Sequence, residues 1–315
     1  SDPSYTIRGL GDEDGEQKLG SFFNGLNVTD RIFAGQFLHD IERVEVLKGP
    51  QPTAFGSFAV VGAVNVVSNK AKLDTNAFSV GAGVGSFNEL RWEGMANIAA
   101  GEHVAFRLAG FSVDKDGYSK NLNGEDQNAR VGTNLRFTTT VDYQGFSGDF
   151  IVAWEDNDGP GIGFRSKYFL PANGSASASD PLAFGGAPTE IQREMTQYQL
   201  KTAFELSDTW GVNYNGYHNT GDLYEYFDVD GGPLRIDERD YAYEAEFTGH
   251  ELFINYEHER FTARLGYNNL QSDREYLFYK VYGDLQHRYA YEIAQALVIP
   301  PTGYPNLSDD TVYPA

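Results

Sequence analysis

From residue 77 onward, apolar and polar side chains alternate in stretches of about ten residues, and that period confines the chain to β-structure. Phe78, Val80, Ala82 and Val84 share one face against Ser79, Gly81, Gly83 and Gly85. Leu90, Trp92, Ala96 and Ile98 stand against Arg91, Glu93 and Asn97. The same rhythm returns over 104–108, 131–143, 150–154, 198–206, 210–214, 252–256 and 261–267. Successive residues of a strand point to opposite faces, so each stretch has one apolar and one polar side. The pattern predicts a mostly β fold with about nine strands in this region.

The connections separate a sandwich from a barrel. Short ones fall near 99–103, 143–147, 206–209 and 257–260, and long polar ones near 114–130, 156–192, 221–240 and beyond 273. Only the hairpin around 86–88 breaks the sequence of long and short. Short turns at one end and long loops at the other suit a barrel that crosses an outer membrane. A soluble sandwich has no reason to sort its loops this way. The polar faces carry Asn, Gln, Thr, Gly and Arg, as a filled or wet lumen would. Tyr143, Trp154, Trp210, Tyr256 and Tyr267 lie towards strand ends, where an interfacial girdle belongs.

Composition sets the outer bounds. A formal charge of -21 makes a polyanionic partner, nucleic acid above all, a poor match. The chain has no cysteine, which removes disulfides, thiolate metal sites and a cysteine nucleophile. No apolar run is long enough for a membrane-spanning helix, which excludes helical membrane proteins only. No charged-plus-apolar signal segment opens the sequence.

Residues 1–73 follow another plan. Residues 5–11 read as a short strand ending in glycines, and 22–28 as a hairpin turning on Asn24-Gly25. Residues 29–40 have room for a helical turn. Residues 41–48 alternate as a strand that stops at Gly49-Pro50, and a second apolar run follows at 63–67. This small mixed α/β unit is too short for a substantial core of its own.

The segments "YTIRGLG", "FFNGLNV" and "DIERVEVLKGPQPTAFGSFAVVGAVNVVSNK", in that order and spacing, resemble the latter part of the plug of TonB-dependent outer-membrane receptors. The later hairpin "HELFINYEHERFTARLGYNN" is similar to strands of that family's barrel. Asn24 stands where the family's hairpin has Asp, Pro52 where Gly is usual, and Val61-Gly62 where Gly-Gly is usual. The resemblance implies a plug over 1–73 and the N-terminal part of a transmembrane β-barrel over 74–315, incomplete against a family barrel of about 22 strands. It implies an internal portion of a longer receptor in the bacterial outer membrane. Expected partners are a TonB-type periplasmic energy-coupling protein, membrane lipid and lipopolysaccharide, and a small-molecule or oligosaccharide cargo. The expected function is active uptake of a scarce nutrient, with a ferric siderophore as the lead and no enzymatic chemistry. A soluble or surface glycan-binding protein or glycosidase, and a structural subunit of an envelope complex, are the alternatives.

Particular residues carry those expectations. Arg8 and Arg43 match plug arginines that latch onto glutamates of the family's barrel wall, with the partner glutamates expected in barrel strands outside this chain; a guanidinium fork holds a carboxylate with two hydrogen bonds. Glu42, Glu45 and Lys48 are expected to form a local polar network. Gly81, Gly83 and Gly85 line one face of a strand with no helix after it, so close packing of plug on barrel is expected there rather than nucleotide binding. The family's cargo contacts fall at plug apices and loop aromatics. By position these are Asp12, Asp14, Arg31, Phe33, Gln36, Phe37, Tyr168, Tyr224 and Tyr226. No cofactor is expected beyond a structural Ca²⁺ in the acidic stretches 12–14, 156–159 and 228–231, none of which keeps EF-hand spacing.

Overall fold

The Asn24-Gly25 pair reverses the chain between β1 (Leu19–Phe23) and β2 (Leu26–Asn27), with φ of 53° and 81°. Positive φ at both central residues defines the tight hairpin turn that Asn-Gly favours. β3 (Ile41–Lys48) and β4 (Gly62–Ser68) are antiparallel, and β4 runs parallel to β1, giving a four-stranded sheet in the order β2-β1-β4-β3. Gly49, at φ 97°, ends β3 and donates its N–H to Val61 O at 3.0 Å. The structure, a computed structural model, describes residues 19–30, 32–33, 38–50, 59, 61–120, 125–161, 188–229, 238–281 and 313–314. Among these the plug segment holds strands and turns and no helix.

A second, ten-stranded sheet begins at Ala77. β5 (Ala77–Val84), β6 (Leu90–Ala99) and β7 (Val104–Lys115) lead into a small hairpin of β8 (Ser119–Lys120) and β9 (Asp126–Gln127). Then come β10 (Arg130–Tyr143), β11 (Phe146–Gly159), β12 (Glu190–Glu205), β13 (Trp210–Asp228), β14 (Glu238–His258), β15 (Phe261–Val281) and the two-residue β16 (Tyr313–Pro314). Apart from the β8–β9 hairpin, each strand pairs antiparallel with its predecessor, so the nine alternating stretches are the nine long strands. Neighbouring short turns touch: Asp142 N–H donates to His103 O at 2.9 Å, Glu205 to Gly145 at 2.7 Å and Glu257 to Thr209 at 2.8 Å. The turn at 86–88 sits at the opposite, long-loop end, where Asp116 N–H donates to Phe87 O. Its shortness therefore does not disturb the sorting of loops.

The sheet is inside-out by the standards of a soluble protein. Phe78, Leu108, Leu135, Phe137, Phe150, Leu200, Leu252 and Leu265 stand exposed on the outer face, while Asn97, Arg107, Arg136, Gln197, Gln199 and Asn219 are buried on the inner one. Aromatics close the outer apolar belt at the short-turn rim: Phe146 packs on Phe204 with ring centroids 4.7 Å apart, and Trp210 on Tyr256 at 4.8 Å. Trp154 marks the other border, its indole N–H donating to Glu194 Oε1 at 3.0 Å. From Phe146 to Trp154 the strand climbs about 26 Å, or about 20 Å along a normal tilted 40° from it, close to the height of a lipid-facing band. Just above, Asp156, Glu194, Asp222, Glu244 and Glu275 lie directly opposite one another across five strands, forming an unbroken row of outward carboxylates.

The apolar core lies between the two sheets. Phe23, Leu26, Val28, Ile32, Phe33 and Val66 of the plug meet Ala153, Met195, Tyr217, Leu223, Tyr241, Tyr243, Ala245 and Phe247 of the wall. Gly221 makes the approach possible: a Cβ there would come within 3.0 Å of both Ile32 and Phe33. A plug too small for its own core thus completes one against the barrel.

Candidate functional site

Alternation along β7 and β10 dictates where the charged contacts form. Arg107 sits between outward Phe106 and Leu108, and Arg136 between outward Leu135 and Phe137, so both guanidiniums point inward. They meet Asp40, which precedes β3 with a left-handed φ of 54°. Arg107 grips the carboxylate with both arms, Nε to Oδ2 at 2.8 Å and Nη2 to Oδ1 at 2.5 Å. Arg136 Nη2 donates to the carbonyls of His39 and Asp40 at 2.8 and 2.7 Å and lies 3.3 Å from Asp40 Oδ2. Asn69 Nδ2 donates to Oδ1 at 3.0 Å. Burial on its own raises the pKa of the Asp40 carboxyl, but the hydrogen bond and charge of Arg107, with Arg136 and Asn69, outweigh it and hold the group below its ordinary value.

A second ion pair repeats the arrangement. Asp30 accepts from Tyr243 Oη at 2.5 Å and lies 3.4 Å from Arg274 Nε. The turn residue Asn24 is also tied to the wall, its Nδ2 donating to Gln199 Oε1 at 3.2 Å and its carbonyl accepting from Lys201 Nζ at 2.6 Å.

A cavity of about 300 Å³ opens on the long-loop side of Asp40, against the inner faces of β6, β7, β10, β11 and β12. The register sets Arg91, Val113, Gly132, Asn157 and Arg193 side by side along its upper row. Arg130, Glu93, Glu155 and, from the plug segment, Leu38 and His39 complete the main lining. Arg193 Nη2 pairs with Glu155 at 3.0 Å, while its Nε and His39 Nε2 are buried without a hydrogen-bond partner. The glycines of β5 make room here. A Cβ on Gly83 would lie 3.4 Å from the Arg91 guanidinium, and one on Gly81 would strike Glu93.

Several expectations need correcting. Among the described residues no plug atom lies against Gly81, Gly83 or Gly85; their nearest neighbours are the long side chains of Glu93, Arg91 and Glu89. Phe33 is buried with its ring edge-on to Phe247 at 5.6 Å, so it packs plug on wall and is closed to cargo. Tyr224 and Tyr226 belong to β13 rather than a loop, and share Asp222's outward parity, which directs them away from the lumen. Asp156 to Gly159 end β11, where Asp156 and Asp158 share the outer face and Asn157 takes the inner one. Among the described residues no group of three His, Asp or Glu side chains could hold a metal.

Arg43 is half-exposed on the edge strand β3, with Glu45 at 2.7 Å and Glu42 at 2.8 Å. The local network expected around Glu42 and Glu45 therefore gathers Arg43 and Asn65. Among the described residues no barrel glutamate reaches Arg43; the ion-paired latch that is present has the opposite polarity, with plug aspartates and wall arginines. Arg8, Asp12, Asp14, Arg31, Gln36, Phe37 and Tyr168 lie outside the described residues. Sequence reasoning missed Asp40, Arg107, Arg136 and Arg193 as site residues. An arginine flanked by outward apolar residues was the available signal.

Residues 1–63 match the family model of the TonB-dependent receptor plug domain. The chain is similar in fold to the ferric yersiniabactin uptake receptor FyuA of Yersinia pestis, with a TM-score of 0.73 and 15% identity over 89% of this chain and 44% of that one. It is likewise similar to the siderophore receptor PiuA of Acinetobacter baumannii (0.67, 14%, 99% and 47%) and to the pyoverdine outer-membrane receptor FpvA of Pseudomonas aeruginosa (0.67, 14%, 89% and 42%). The chain spans less than half the length of these receptors. A plug-family segment packs against a wall that is apolar without and polar within. Residues 1–63 thus carry the signature of the TonB-dependent receptor plug domain, and the chain as a whole shares the plug-and-barrel-strand fold of these receptors.

Proposed function

We propose that the chain is part of a TonB-dependent receptor of the bacterial outer membrane that imports a scarce nutrient, with a ferric siderophore as the lead cargo and a TonB-type periplasmic protein as the energy-coupling partner. The observation that carries this is the plug itself, held inside the wall by the Asp40–Arg107–Arg136 contact directly below a cavity on the long-loop side. In a barrel of this type the short turns face the periplasm and the long loops the exterior, so cargo would meet the plug from outside. Transport then needs the plug to shift, and hydrogen-bonded ion pairs can be exchanged for water at modest net cost. No covalent step is called for. The matched receptors named for ferric yersiniabactin and pyoverdine support iron chelates as cargo.

Uptake of radiolabelled ferric chelates by cells with and without the gene, each with an intact or inactive TonB-type partner, tests this. Loss of uptake in both deficient strains is expected. Undiminished iron-limited growth and uptake on deletion, across chelate classes, would leave the structural-subunit alternative in its place.

A further inference from the structure

We propose that the cavity beside Asp40 is an oxyanion site, and that the cargo it takes is a small polycarboxylate, free or as its ferric chelate. This rests on the transport reading and deepens it by naming a ligand class. Charge is the first ground. In a chain of net charge -21, this cavity gathers three guanidiniums, Arg91, Arg130 and Arg193, against the two carboxylates Glu93 and Glu155. Among the described residues Arg91 and Arg130 have no ion-pair partner, and Glu155 is already engaged by Arg193 and Asn157.

Unsatisfied polar nitrogens are the second ground. Arg193 Nε and His39 Nε2 are both buried against the cavity with no partner. A buried polar group left unpaired is costly, and both side chains belong to the lining of the cavity that a ligand would fill. Guanidiniums select planar, forked oxygen pairs, which carboxylates supply and neutral sugars do not.

The third ground is local construction. Gly81 and Gly83 lack the Cβ atoms that would collide with Glu93 and crowd Arg91, so β5 is cut back where those side chains lie. The His39 ring also packs on Phe111 at 5.7 Å, while its carbonyl accepts from Arg136. The His39 side of the cavity therefore lies one residue from Asp40 and its buried ion pair.

Titration calorimetry on the full-length receptor in detergent tests the assignment, with citrate, ferric citrate and an uncharged ferric trihydroxamate as probes. Citrate, ferric citrate or both should bind, and the comparison of the two says whether iron belongs to the ligand. Arg91→Gln and Arg130→Gln should each weaken the complex about tenfold, the loss of one charge-assisted hydrogen bond. Glu93→Gln should tighten it, an opposite sign that a merely disturbed fold does not give. Retained heat-modifiable migration shows that each variant is folded. Absence of carboxylate binding at millimolar concentration, or folded arginine variants that bind as the parent does, overturns the proposal. TonB-dependent uptake of only the uncharged chelate would overturn it while sparing the transport reading; anion binding without TonB-dependent uptake would do the reverse.

Discussion

Asp40 is the residue on which plug and wall depend most. Its carboxylate neutralises one buried guanidinium bidentately and a second in part, so Asp40→Asn removes the counter-charge that the two share. Breaking a buried pair of this kind costs about 3 kcal/mol. A lowered thermal midpoint of the solubilised full-length receptor, with faster proteolysis at residues 38–50, is the expected result. The pH dependence follows from the depressed pKa of Asp40. The stabilisation is complete above the unfolded aspartate value of about 3.9 and is lost only as pH falls through the lower folded value. Proteolysis at 38–50 should therefore be unchanged between neutral pH and about pH 5. The two arginines were legible in the sequence as inward residues, because apolar neighbours on either side fix the parity of the strand. Their partner was not. Nothing local distinguishes Asp40 from a solvated turn residue, since its role depends on contacts made 67 and 96 residues further along.

At the level of elements, period-2 alternation specified the long strands, because a one-residue slip would turn every apolar side chain inward. It underestimated their reach at the long-loop end. β13 and β14 continue to Asp228 and back from Glu238, beyond the level at which apolar residues alternate, so Tyr224 and Tyr226 look like loop residues while backbone pairing keeps them in strands. Turn chemistry was the most legible local feature. Asn24-Gly25 forms the expected tight turn, and Asn24 stands where the family has Asp without loss of function as a turn residue. Its amide accepts from Ser68 N–H at 2.9 Å and donates to Gln199, a pair of roles that a carboxylate cannot fill. Gly25→Ala meets open space, its nearest neighbour being Lys201 Nζ at 3.9 Å, so its cost is the backbone at φ 81° alone. About 1 kcal/mol is expected, read as a small fall in the receptor's unfolding midpoint with cargo binding unchanged.

For the whole molecule the outer face decides the environment. Leu200 lies in the middle of the apolar belt, four residues from the Phe204 rim and level with Phe150. Leu200→Arg should cost about 3 kcal/mol if that level is hydrocarbon, and almost nothing if it is water. Loss of heat-modifiable barrel in outer-membrane fractions is the expected outcome; normal assembly would contradict the membrane assignment. That much could be seen in the sequence, whereas the charge on the two sides of the wall became visible only with the register. Arg193 and Glu194 are successive residues and so stand at one height on opposite faces. The same holds for Asn157 between Asp156 and Asp158. A wall one strand thick thus presents a row of carboxylates to the outside at the height where Arg193 and Asn157 face inward. On the transport reading proposed above, an anionic cargo would be repelled by these acids from the flank of the barrel and would enter over the rim, towards the plug.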